Sequence, residues 1–445
     1  MKKPNLLLVT FLISACAAFG QTPETPALDE LLQNAGQEPV APQFNLYALD
    51  PSLAKDDAEA AEWCRKAAEQ GDVSAQSDLG VMYFLGRGVA KDYAEAAKWI
   101  RKAAEQGDAN AQSFLGFMYL SGTGVTQDGV EGVKWTRKAA EQGNADAQCN
   151  LGVMYREGEN VTKDEAEALK WFRKAAEQGN ANGQFNIGMM YGTGRGVPKD
   201  EMEAMKWFRK AAEQGKAEAQ YSLGIMYENG LGVAKDANEA VKWYRKAAEQ
   251  GLATAQFKLG NSYASGRGVA KDDVAAVNWY RKAAEQGYAP AQGNLGIMYT
   301  DGRGVAKNQT EAFNWFRKAA EQGNAKAQNR LGFMYGNGQG VTKNQAEAFN
   351  WFRKAAEQGD AFAQNNLGNM YVTGRGVRKD EAEAAKWYVK AAEQGQANAQ
   401  CVLGKAYLYG RAGIAEKDKT KAKFWLEKSA AQGNKEAAKL LKSLK

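Results

Sequence analysis

Tryptophan spacing constrains this chain more than any other feature. Trp63, Trp99, Trp135, Trp171, Trp207, Trp243, Trp279, Trp315, Trp351 and Trp387 stand 36 residues apart, and Trp425 follows after 38. A short unit repeated this often need not be divided into separate cores, because each copy can bury its apolar side against the next. The late offset coincides with two extra residues in Tyr409–Asp418, where other copies read like Leu85–Asp92, so the insertion belongs in a loop.

Within the copy 71–106, two helical patterns follow one another. Ala75, Leu79 and Tyr83 fall four apart and share one helix face, while Gly80 beside them would let a neighbouring backbone approach. Gly86-Arg87-Gly88 ends that helix and lets Val89 fold back onto the core. Asp92 then serves as an N-cap, and Asn308 and Asn344 take its place in later copies. Ala96, Trp99 and Ala103 place one bulky residue between two small ones on the second helix, which Gln106-Gly107 terminates. No strand pattern occurs. The expected fold is therefore an all-α solenoid of about ten helix-turn-helix repeats over 71–432, with a partial repeat over 43–70 and a capping helix over 433–445.

The first residues resemble an export signal: Lys2 and Lys3, an apolar stretch from Leu6 to Ile13, then small residues. Cleavage after Gly20 is the preferred reading, giving a signal peptide over 1–20. Ile13-Ser14-Ala15-Cys16 also reads as a lipobox, with a lipid anchor at Cys16 as the alternative. Residues 21–42, rich in Pro, Gln and Asn, read as a flexible linker. No integral membrane segment is expected after the signal is removed, and the destination is periplasmic or extracellular, with an outer-membrane lipoprotein as the alternative.

The chain has no histidine, which removes the usual general base, every Ser-His or Cys-His pair and every imidazole metal ligand. No catalytic residue, cofactor or metal is expected. Cys64, Cys149 and Cys401 read as ordinary helix residues, since Cys149 and Cys401 sit seven repeats apart, beyond disulfide reach. Loss of residues 1–20 would remove two of 58 basic residues and none of 52 acidic ones, leaving a mildly basic chain. Those bases recur evenly beside glutamates, as in RKAAEQ, so no concentrated patch points to nucleic acid. Gly192-Thr193-Gly194-Arg195-Gly196 follows a helix instead of a strand and lacks the full dinucleotide pattern.

Taken together, AxAQxxLGxxYxxGxGVxKDxxxAxxWxRKAAEQG resembles the Sel-one-like repeat, a relative of the tetratricopeptide repeat, over residues 55–445. The resemblance implies a right-handed superhelix, a concave binding surface and an adaptor role. Some members of that family are described as β-lactamase-like, but they carry paired cysteines in each repeat, and this chain does not. Ser52-Leu53-Ala54-Lys55 is its one S-x-x-K tetrad, unaccompanied by S-D-N or K-T-G.

Repeats within one chain also permit an internal comparison, in which positions that vary are free to face solvent or a ligand. On the first helix these are the positions of Ser74, Ser77, Asp78 and Val81. Down the stack, the Ser77 position carries Phe185, Tyr221 and Phe257 in consecutive repeats, with Met189 and Ile225 one turn on. Later repeats offer amides and a cation: Asn294, Asn329, Arg330, Asn365 and Asn366. These ten residues are the candidate contacts for a protein partner, with the three aromatics as anchors for an extended or helical segment. The leading function is a non-catalytic envelope scaffold. A secreted host-interaction factor is the alternative, and a β-lactamase-like hydrolase the third reading.

Overall fold

The computed structural model describes residues 57–411, 413 and 415–444. The expected signal segment, Cys16, the linker 21–42, residues 43–56 of the partial repeat and the Ser52–Lys55 tetrad lie outside the described residues. Among the described residues there are 22 helices and no strand, the one β-bridge joining Arg411 to Ala415. Every helix has 13 residues except the last, Lys435–Ser443, which has nine. Three-residue turns such as 70–72 alternate with seven-residue loops such as 86–92, which accounts for the 36-residue period. Between Tyr409 and Lys419 the loop lengthens to nine residues, as the tryptophan offset predicts.

Local chemistry sets these boundaries. Asp72 accepts the Ala75 amide at 2.7 Å and opens the helix Val73–Leu85, while Asp92 accepts from Ala94 and Glu95 and opens Tyr93–Glu105. Asn308 and Asn344 cap their helices in the same way, so exchanging aspartate for asparagine preserves the bond. At the other end of the first helix, Gly86 turns left-handed at φ 73° and returns its N–H to the Met82 carbonyl.

Each helix pair closes around a glycine. A Cβ on Gly80 would overlap the Ile100 side chain, and in later repeats Gly152 and Gly188 face the rings of Phe172 and Phe208 at 2.7 Å from that Cβ position. The expected close approach of a neighbouring backbone is present, with the Ile100 amide nitrogen 3.1 Å from the Gly80 Cβ position, and the side chain of the partner helix comes closer still. Aromatic residues at this place on the second helix are larger than a two-helix contact can hold, and the missing side chain makes the room.

Neighbouring pairs are joined by the tryptophans and by a glutamine ladder. Trp99 joins Ala75, Leu79 and Met82 of its own pair to Ala61 and Cys64 of the preceding helix Asp57–Glu69, and Trp171 likewise joins Ala147, Leu151 and Met154 to Val133 of Gly129–Glu141. The ammonium groups of Lys102 and Lys174 lie 4.0 and 4.1 Å from the centroids of the Trp99 and Trp171 rings. Buried Gln148 donates at 3.0 Å to the last-turn carbonyl of Ala140, which also accepts from the Gly143 amide. Its own side-chain oxygen accepts from Gln178 at 2.8 Å. The same pair of bonds recurs at Gln76 with Gln106 and at Gln328 with Gln358.

The chain divides into two compact units between Ala247 and Ala248, within the helix Ala237–Glu249. Each unit is a stack of antiparallel helix pairs with an apolar core between first and second helices.

Candidate functional site

In the first unit, the expected aromatic anchors belong to the core. Phe185 is 2% exposed, with its ring 5.6 Å from Phe208, and Tyr221 is 8% exposed, with its ring 5.9 Å from Tyr244. Ile225 is buried and Met189 half-buried. The expectation that these side chains form an accessible patch is corrected by their packing: each ring fills the gap between a first helix and the aromatic of its own second helix. The signal was present in the sequence, because Phe208 and Tyr244 sit 23 residues after Phe185 and Tyr221.

Buried polar groups occupy the same helices. The Arg156 guanidinium donates to Asn186 Oδ1 at 2.5 Å and to Glu157 at 2.6 Å, and lies 5.7 Å from the Phe172 ring centroid. Asn186 in turn donates to the Asn182 carbonyl and to Cys149 Sγ. Burial pushes the Cys149 thiol up to about 12, and Cys64 and Cys401, also buried, up to about 11. Such thiols stay protonated near neutral pH and are poor nucleophiles and metal ligands.

The second unit presents a different surface. Phe257 is half-buried against Tyr280 and edge-on to Tyr288 at 5.3 Å. Asn261 Oδ1 accepts from the Tyr280 hydroxyl at 2.7 Å and from Asn294 at 3.0 Å, linking two adjacent first helices. Asn366 donates to Asn329 at 3.1 Å and links the next two. Asn294, Asn329 and Asn366 are half-buried, Arg330 is exposed, and Asn365 is buried with its Oδ1 unpartnered. The expected amide and cationic residues are therefore brought together along Ala289–Asp301, Ala325–Asn337 and Ala361–Thr373.

Two exposed aromatics on this surface lie outside the expected set, Phe333 at 48% and Phe362 at 64% exposure. They occupy the positions of Val81 and Ser74, both within the variable face, so the internal comparison held the signal. At the Ser77 position, by contrast, packing against the second helix buries Phe185 and Tyr221.

Among the described residues, no helix is long and apolar enough to cross a membrane, and no group of three or more acidic or cysteine side chains could hold a metal ion. No curated protein matches the chain. Among solved structures, it is similar to c5321, a protective antigen present in uropathogenic Escherichia coli strains and displaying an SLR fold. The two share 42% identity over 88% of this chain and 84% of that one, with a TM-score of 0.75. A Sel1 repeat protein from Oxalobacter formigenes is 39% identical over 55% of this chain and 96% of that one, with a TM-score of 0.51. The Sel1 repeat model matches eleven times, over 45–72 and then in consecutive stretches from 73–108 to 397–434. The chain therefore belongs to the Sel1 repeat family, and its all-α repeat fold is that of a protein–protein interaction scaffold.

Proposed function

We propose that this chain is a non-catalytic adaptor, exported to the bacterial envelope, that holds protein segments against the first-helix face of its second unit. One observation carries the reading: Asn294, Asn329, Arg330 and Asn366 form a row of half-buried or exposed hydrogen-bonding groups on consecutive first helices. Groups of this kind recognise a polypeptide, and the exposed rings of Phe333 and Phe362 add apolar contact. A photo-crosslinker at Phe333 or Phe362 is expected to capture a partner protein that the same group at Val274, exposed on a second helix, does not. Equal capture at all three would remove this face as the binding site.

Export is supported by Lys2 and Lys3 ahead of the apolar run Leu6 to Ile13. Fractionation with a palmitate label tests it: an unlabelled mature chain in the periplasm is expected, a labelled one assigns Cys16 as a lipid anchor, and a full-length cytoplasmic chain overturns export. The non-catalytic reading is supported by the missing histidines and by the raised thiols, and β-lactam hydrolysis by the mature protein would overturn it. A second reading, a factor displayed to or released toward a host, is favoured by the 42% identity to a protective antigen. Antibody labelling of intact cells separates the two.

A further inference from the structure

Gly293 departs from what its helix requires. It lies inside Ala289–Asp301, where glycine is unfavourable because it gives up the most backbone freedom on folding. A Cβ there would meet no atom within 4 Å, so no neighbour demands the glycine. Three residues on, Gly296 shows the opposite case, with the Phe316 ring 2.9 Å from its Cβ position. Other repeats put a side chain at the Gly293 position: Phe257 before it, Asn329 and Asn365 after it. The result is an open notch in the first-helix face, one side chain deep.

The surroundings of the notch have a consistent chemistry. Asn294 is adjacent in sequence, and the amides of Asn329 and Asn366 continue the row; an amide carries two N–H donors and two lone pairs, so each keeps capacity for a peptide unit beyond the one bond it makes to a neighbouring asparagine. Asn365 Oδ1, buried and without a partner, is an acceptor still to be satisfied. Across Ala289–Asp301, Ala325–Asn337 and Ala361–Thr373 the charged residues are Lys326 and Arg330 against the single acid Asp301. Asp360, the N-cap of Ala361–Thr373 through the Ala363 amide at 2.7 Å, adds a second acid within electrostatic reach of both cations, while Arg330 stands exposed.

We propose that this face binds an extended acidic peptide segment, which places one apolar side chain in the Gly293 notch and a carboxylate on Arg330. The proposal rests on the adaptor reading above and names the class of its partner. An extended chain leaves peptide N–H and C=O groups free for the asparagines, and a guanidinium pairs with a carboxylate through two parallel bonds.

A display library of random short peptides, selected on the purified mature chain, tests it. The expected winners carry Asp or Glu with one apolar side chain, and bind more weakly at raised salt. Gly293→Phe and Arg330→Glu are each expected to weaken them roughly tenfold or more. Gly293→Phe should fold normally, since the equivalent position is phenylalanine at Phe185 and Phe257. Gly293→Ala should raise the Tm by about 1–3 °C while still weakening the peptides, a combination that damage to the fold cannot produce. An empty selection, basic or helix-forming winners, or binding indifferent to both substitutions would overturn the proposal. The crosslinking at Phe333 and Phe362 would then decide the adaptor reading separately.

Discussion

Gly129 and Asn160 fill one another's space across two repeats. Asn160 is the only non-glycine residue with positive φ among the described residues, at 57°, in a place held by Gly88, Gly124 and Gly196 elsewhere. Gly129, at the start of the helix Gly129–Glu141, stands where other repeats have Tyr93, Glu165 or Asp273. A Cβ on Gly129 would fall on the side-chain amide of Asn160. Two departures from the repeat pattern, 31 positions apart, are thus one exchange: the side chain lost at one residue is regained at the other. Gly129→Ala alone is expected to destabilise the chain, and Asn160→Gly alone to change stability little. The double variant should recover the loss, with a coupling energy of about 1 kcal/mol from denaturant titrations. Additive effects would show that the two residues do not share the space.

Gln148 holds both a last-turn carbonyl and the next glutamine, so truncating it removes two hydrogen bonds, one of them buried, and leaves a cavity. Gln148→Ala should lower unfolding free energy by about 1–3 kcal/mol. A loss within experimental error would mean that water takes over both bonds.

Trp171 is 6% exposed and wedges one repeat onto the previous one. Trp171→Ala is expected to cost about 3–5 kcal/mol. Because each repeat touches mainly its neighbours, hydrogen exchange should rise most at amides 133–154, with smaller changes around 73–85. A uniform rise would show that the first unit opens as a whole.

Buried and exposed phenylalanines should separate cleanly. Phe185→Ala is expected to lower stability by about 3–5 kcal/mol, whereas Phe333→Ser and Phe362→Ser should leave it within about 0.5 kcal/mol and act only on partner capture. Wild-type stability in Phe185→Ala would return that ring to the list of surface anchors.

Asp78 titrates abnormally. Burial, then the carboxylates of Asp108 and Asp72, push it up to about 6 from an ordinary value of 3.8. An acid whose folded pKa is raised holds its proton longer in the native state. Stability therefore falls as pH rises through the window from about 4 to about 6, where the unfolded chain has already ionised. Asp78→Asn should raise the Tm at pH 7 and lose that advantage at pH 3.5, the effect being moderated by the partial exposure of the side chain. An equal Tm difference at both values would show that Asp78 ionises normally.

Much of this protein follows from the sequence itself, because helix formation, capping and the repeat period are local or nearest-neighbour matters. The 36-residue spacing of the tryptophans, the aspartate and asparagine caps and the left-handed glycines such as Gly86 required no distant partner to be understood. The binding face did not follow in the same way. Phe185, Phe257, Gly293 and Asn365 occupy one register position, yet one is core, one half-buried, one an open notch and one a buried amide. Periodicity tells which way such a side chain leaves its helix. Its exposure depends on the ring that meets it from the second helix and on the side chain offered by the adjacent first helix, and those contacts are made only by tertiary packing.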